Sequence, residues 1–480
     1  MNTIAAFTGP LMPDLPDRDN PGVIKAENCL PLSTSFEPFR SHVPDMDALL
    51  AACVGAASVQ DYSLNTFSYA GTATNIYRRS GSSWTSVGSG YTGQTWEFVA
   101  FNDKVYAVNG IDDIQVDDIG SSSFLAVADA PPNAKHIGVS RNFVIVGNLV
   151  SNPRTVQWSA VGDGDTWTPD GTNQAGSQVV RDGGAVTQIV GGEYATVFVE
   201  HGIYVMRFVG GTVVWQFDYI QPGRGTLAGG SVSQIGNNIY FLSDDGFYVF
   251  DGSTARPIGS NTMNQTFIKD YDSTLPDAVS SLIDLDNTLV YWAYPGEGNS
   301  GIANKIMVYN YSSDRWAGPI LANVERLTYS QLPSVLSDTI PPGSTDSDTI
   351  NTLSDAQEYK GGAASVVGFN SNHEHGSYSG TPLTATVESG EFSINIGGKG
   401  LLRSVRALVS GSSPNVSICI GTRNSASGAV TYSADKTPHT ETGKAMFRQN
   451  GRFHRICVTV SGEYTHIFGA EPESVETSKR

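Results

Sequence analysis

Charged residues make up only 16% of this 480-residue chain, and no stretch approaches 18 consecutive apolar residues. The second absence excludes a helix that spans a membrane. Cysteine is scarce as well: the four are Cys29, Cys53, Cys419 and Cys457, with no C-x-x-C pair among them. That pattern excludes a disulfide scaffold and points to synthesis in a reducing compartment. Cys419 and Cys457 sit in strand-like apolar runs and read as buried free thiols. The opening "MNTIAAFTGPLMPDLPDRDN" has no basic segment before its apolar residues, so it does not read as a secretory signal.

Basic residues are also few, 29 against 47 acidic, for a net charge of −18. A protein that grips nucleic acid by neutralising phosphates needs a basic face, and that class is disfavoured. The imbalance is uneven. Residues 381–480 carry 11 Lys/Arg against 8 Asp/Glu, which leaves 18 against 39, or −21, for residues 1–380. An ordinary solubilising surface explains this, and so does a body past which a polyanion must slide without sticking.

Recognisable chemistry is missing too. There is no G-x-S-x-G elbow, no H-E-x-x-H and no credible Ser/His/Asp set. Gly88 to Gly93 spells G-x-G-x-x-G, but a strand-like "QTWEFVAF" follows where dinucleotide binding requires a helix. "GDGDTWTPDG" gathers Asp163, Asp165 and Asp170, yet Trp167 and Thr168 stand where an EF-hand needs a ligand and a glycine. It reads as a turn that packs Trp167 against a blade edge. His373 and His375 in "NHEHG" lack further zinc ligands. The basic cluster Lys444, Arg448, Arg452, His454 and Arg455 reads as a solvated face or a dock for an acidic neighbour. No catalytic, cofactor-binding or metal-ligating residue is assigned, and the chain is read as a non-enzyme without a cofactor.

What is present is glycine (52 residues), tyrosine and phenylalanine (20 each), arranged in short apolar runs split by turns. "NNIYFLSDDGFYVFDGST", residues 237–254, is a β-hairpin by this pattern, and Asp244-Asp245-Gly246 is its corner. Similar units anchor on Val105, Val144, Val197, Ile239 and Leu289, at gaps of 39, 53, 42 and 50 residues. Four-stranded propeller blades repeat at about 40–50 residues. The fold expected is therefore all-β: a β-propeller of about six blades over residues 61–330, then a small antiparallel β-sandwich over 379–470. Residues 1–60 are expected to be an arm packing on the propeller or a neighbouring subunit, with one short helix at residues 45–57 capped by Asp45. Residues 331–378 read as an exposed loop and 471–480 as a flexible tail.

Several of these stretches resemble one family. "NPGVIKAENCLPLSTSFEPFRS" (20–41), "VGGEYATVFVEHGIYVMRFVGG" (190–211) and, above all, "FDYIQPGRGTLAGGSVSQIGNNIYFLSDDGFYVFDGSTARPIG" (217–259) look like the tail hub or nozzle proteins of tailed phages. These are the ring-forming "packaged DNA stabilisation" proteins of short-tailed viruses. The resemblance covers roughly residues 20–320, and after residue 330 little of the family is visible. It implies a homo-oligomeric ring, commonly a hexamer, below the portal and its adaptor in the virion tail, assembled in the host cytoplasm. Such a ring continues the DNA channel, retains the packaged genome, conducts DNA at ejection without binding it specifically, and meets tail fibre, spike or needle proteins. The alternative is a glycan-binding or glycan-cleaving propeller that acts on the host receptor, with aromatics stacking on sugar and an Asp/Glu pair as acid and base.

Overall fold

The computed structural model describes residues 9–476 except 19, 64, 212, 332–363 and 396–397. Five four-stranded antiparallel sheets follow one another: Gly55–Gln60 to Ser83–Ser89, Glu97–Phe101 to Leu125–Ala126, Ala134–Ser140 to Gly176–Val179, Val186–Val190 to Trp215–Pro222, and Ser233–Ile235 to Ala255–Pro257. A sixth runs from Ser280–Asp284 through Leu289–Tyr294 and Ala303–Asn310 into the first half of Arg315–Gln331. The first strand of each sheet packs beside the first strand of the next, directly or through the turn Gly229–Ser231. This is a β-propeller. The anchors Val105, Val144, Val197, Ile239 and Leu289 all fall on the second strand of their blades, blades 2 to 6.

Local sequence explains each blade. Strands such as Asn238–Ser243 and Gly246–Phe250 are almost wholly buried, because sheets stacked around an axis bury both faces. Their hairpin turns at Asp244-Asp245, as expected, and Gly246 has φ +133°. A side chain at Gly246 would meet Asn264 at 2.1 Å, so both conformation and space reserve the position for glycine.

A seventh sheet closes the ring. After the sixth blade the strand Arg315–Gln331 continues inward, and its second half pairs with Ala364–Asn370. That strand pairs with His375–Ser377, which pairs in turn with Val43–Pro44. The innermost strand lies between those of blades 6 and 1. About six blades are thus met by six consecutive ones, and the seventh is assembled from three separate pieces of chain.

The N-terminal segment joins this ring to the C-terminal domain. Val23–Glu27 pairs with Arg315–Gln331 on one side (Ala26 opposite Gly318) and with Ala385–Ser389 on the other (Ala26 opposite Val387). Phe36 stands opposite Ile467. The domain itself is dominated by two 24-residue strands, Gly400–Arg423 and Phe453–Glu476, paired along their whole length. Bulges between residues 408 and 413 bend this ribbon. The apolar faces of both halves, Leu402 and Val405 with Ile418 and Val458, enter one core that is continuous with Phe247, Trp292 and Trp316 of the propeller.

Four expectations need correction. Residues 45–57 are not helical: Asp47 N–H donates to Ser82 O and Leu49 N–H to His373 O, so long-range bonds fix this backbone. The propeller starts at Gly55, inside the segment read as an arm. Within 331–378, residues 364–370 and 375–377 are strands of the seventh blade, while 332–363 lie outside the described residues. The tail is strand as far as Glu476, because its partner Gly400 extends the ladder that far; residues 477–480 lie outside the described residues.

Candidate functional site

The inner strands of the blades line an open axial cavity of about 260 Å³ and a second of about 560 Å³ that shares Phe98, Ile137 and Gln188 with it. Glu97 starts the inner strand of blade 2 and points its carboxylate at its neighbours. Its Oε1 lies 2.9 Å from His136 Nδ1 of blade 3 and accepts from Gln188 Nε2 of blade 4 at 3.3 Å. Its Oε2 accepts from Ile137 N–H at 3.1 Å. Burial alone would raise the pKa of this carboxyl, but His136, the Ile137 N–H and the charge of Arg326 hold it below the usual glutamate range. One carboxylate therefore ties three blades together. Smaller links join other blades: Ser58 Oγ donates to Tyr329 O at 2.9 Å, and Ser281 Oγ to Gly230 O at 2.9 Å.

A second ionic cluster holds the seam between the N-terminal segment and blade 7. His375 Nδ1 lies 2.6 Å from Asp45 Oδ1, and His373 Nδ1 lies 2.5 Å from Glu325 Oε1. Glu325 also accepts from Cys53 N–H at 2.8 Å. His375 is buried under Trp84 and Phe369. Burial opposes ionisation of Asp45, yet the bond from His375 and the nearby Arg79 hold its pKa low. The two histidines of "NHEHG" thus serve separate carboxylates, a reason for their spacing that the sequence alone does not supply.

The remaining motifs resolve into turns and clamps. Asp245 accepts from Tyr248 Oη at 3.1 Å and pairs with Arg224 at 3.1 Å. Asp165 meets Lys104 and accepts from Tyr106 Oη at 2.8 Å, while Trp167 is buried between blades 2 and 3. The backbone N–H groups of Trp167 and Thr168 both donate to Asp129, a partner invisible in the local motif. Among the described residues, no group of three or more His, Cys, Asp and Glu is placed to hold a metal ion. Tyr91, inside G-x-G-x-x-G, stacks edge-on against Trp96 in the connection between blades 1 and 2.

The basic cluster is not one surface. Arg455 is buried against Asp17, Glu391 and Glu388, and Arg423 joins it at 2.6 Å from Glu391. His454 is buried as well, and Lys444 is spent on Glu473. Only Arg448 and Arg452 stand exposed. Position explains the split: Arg452 lies in the turn between the strands Lys444–Gly451 and Phe453–Glu476, whereas His454 and Arg455 begin the longer strand and are covered on both faces.

The class this geometry defines is an all-β propeller joined to a C-terminal β-domain. No family model and no curated protein matches the chain. Among solved structures it is similar to YCF48 from Cyanidioschyzon merolae, with 12% identity, 50% of this chain, 78% of that one and a TM-score of 0.33. It is also similar to the dihydro-heme d1 dehydrogenase NirN in complex with DHE (13%, 60% and 59%, TM-score 0.34). A structural genomics protein of unknown function from Bacteroides thetaiotaomicron aligns at 8%, 45% and 59%, with a TM-score of 0.31. The chain spans less than two thirds of the last two. Similarity at this level carries no argument about function.

Proposed function

We propose that the chain is a structural, non-catalytic component of a phage tail, the wall subunit of a ring that continues a DNA channel. The observation that supports this reading most is the junction of propeller and C-terminal domain. One strand, Val23–Glu27, is hydrogen-bonded into both bodies, and one apolar core runs between them. A wall that holds a genome under load needs rigid subunits, and continuous sheet with a shared core resists hinge motion between domains better than a linker does. The net charge of −21 over residues 1–380 suits a passage that repels phosphate. A ring of identical subunits uses heterologous contacts that close by rotation, with one face matching a different face of the neighbour.

The test is sedimentation velocity and electron microscopy of the full chain, alone and in purified particles. Closed rings are expected, six-fold by the family resemblance. Monomers in both preparations would sink the reading. A glycan array run beside it separates the receptor-binding alternative, which predicts specific sugar capture by the monomer.

A further inference from the structure

Cys419 and Cys457 stand directly opposite one another in the pairing of Gly400–Arg423 with Phe453–Glu476. Their neighbours Ile418, Ile420, Ile456 and Val458 are buried in the core, so the two thiols share the outer face, where both are half-buried. The sequence reading of both as core thiols is corrected by this alternation. The hydrogen-bond pattern fixes the kind of pair. Ile418 exchanges N–H and C=O bonds of 2.9 Å with Lys436, and Ile420 O accepts from Ser433 N–H at 2.9 Å. Those residues turn their backbone groups away from the partner strand, so Cys419 turns its own toward Cys457. Such a pair has Cα atoms about 5.5 Å apart, inside the range of about 4.4–6.8 Å that a disulfide spans.

We infer that Cys419 and Cys457 form a cross-strand disulfide site, reduced where the chain is made and closed when it meets a small-molecule disulfide. The thiol of Cys457 donates its hydrogen toward Cys419, which lowers the pKa of Cys419 and raises that of Cys457. Cys419 is therefore the first nucleophile. Its thiolate attacks one sulfur of oxidised glutathione, forming a mixed disulfide and releasing one glutathione thiolate. Cys457 then gives its proton to solvent, attacks Cys419 Sγ and displaces the second glutathione thiolate. Two thiols lose two protons and two electrons, and one glutathione disulfide becomes two glutathione thiolates. Cys29 and Cys53 are fully buried, and burial pushes both thiols up, that of Cys53 to about 12, so they stay out of the exchange. The closed bond would pin the half of the ribbon that carries Arg455, and with it the contact to Asp17 of the N-terminal segment.

The experiment incubates the full folded chain with oxidised glutathione, alkylates without reduction, and reads intact mass and peptide map. The expected product has lost two hydrogens, yields one cross-linked peptide joining Cys419 to Cys457, and keeps Cys29 and Cys53 reduced. C457S should stop at a single glutathione on Cys419. A stable glutathione adduct on the wild-type chain without the cross-link, or full alkylation of both thiols after excess oxidant, would overturn the inference. The wild-type arm decides the matter whether or not C457S folds.

Discussion

Blades 1 to 6 and the seventh blade use the same four-stranded sheet but are held together differently. The first six are each continuous in sequence, with strands joined by turns as short as two residues. The seventh takes its strands from Val43–Pro44, the second half of Arg315–Gln331, Ala364–Asn370 and His375–Ser377. A local hairpin needs little loop-closure entropy, whereas the seventh blade must bring distant segments together. The difference is visible in chemistry. Blade 7 and its seam carry the imidazole–carboxylate contacts Asp45–His375 and Glu325–His373, whereas blades 5 and 6 share an aromatic core with Phe247 4.5 Å from Trp292. The non-local blade is fastened at its seam by imidazole–carboxylate contacts that join segments far apart in sequence.

That contrast can be broken from either side. The largest effect is expected from Trp292→Ala, which empties the core shared by propeller and C-terminal domain. It should cost about 3–5 kcal/mol, read by urea unfolding, with both bodies melting in one transition. Glu97→Gln keeps the shape but removes the charge that faces His136 and Arg326. About 2 kcal/mol is expected, because the buried His136 and the Ile137 N–H lose a charged acceptor. Asp45→Asn at the seam should cost about 1 kcal/mol, less because the carboxylate is one-third exposed. Its signature is selective: faster hydrogen exchange in residues 364–377, with blades 2 to 4 unchanged.

Acid should act on both joints. The folded-state pKa values of Glu97 and Asp45 lie below their ordinary values. Their contribution is fully present above the unfolded values of about 4 and is lost as pH falls through the folded ones. The urea midpoint should therefore be level from pH 7 to about 5 and fall below pH 4, and the fall should shrink in the Glu97→Gln variant. The smallest effect belongs to Asp245→Ala. It removes an exposed hairpin-corner carboxylate with its pair to Arg224 and its bond from Tyr248 Oη, and about 0.5 kcal/mol is expected.

The same contrast governs what the amino-acid sequence revealed. Blade hairpins were legible because alternation and Gly-containing turns are local signals; the residue 237–254 hairpin turns where "SDDG" said it would. The seventh blade was not legible, because Val43–Pro44 is two residues long and its register depends on a partner at residues 376–377. Residues 45–57 carry helical composition, yet tertiary hydrogen bonds override propensity there. His136 and Gln188 gave no signal either. Each is an ordinary residue within the inner strand of its blade, and only the ring brings both to Glu97. Arg455 misled for the opposite reason: a local run of basic residues conceals which members point inward.

The N-terminal segment is a strand shared by propeller and C-terminal domain, and the rigidity of the whole chain depends on it. Hydrogen exchange of the full chain tests this most directly. The amides of residues 23–27 should exchange as slowly as those of Leu289–Tyr294 and Ala385–Ser389, because Ala26 is laddered to both bodies. Exchange there at the rate of a free peptide, with blade 6 still protected, would contradict it.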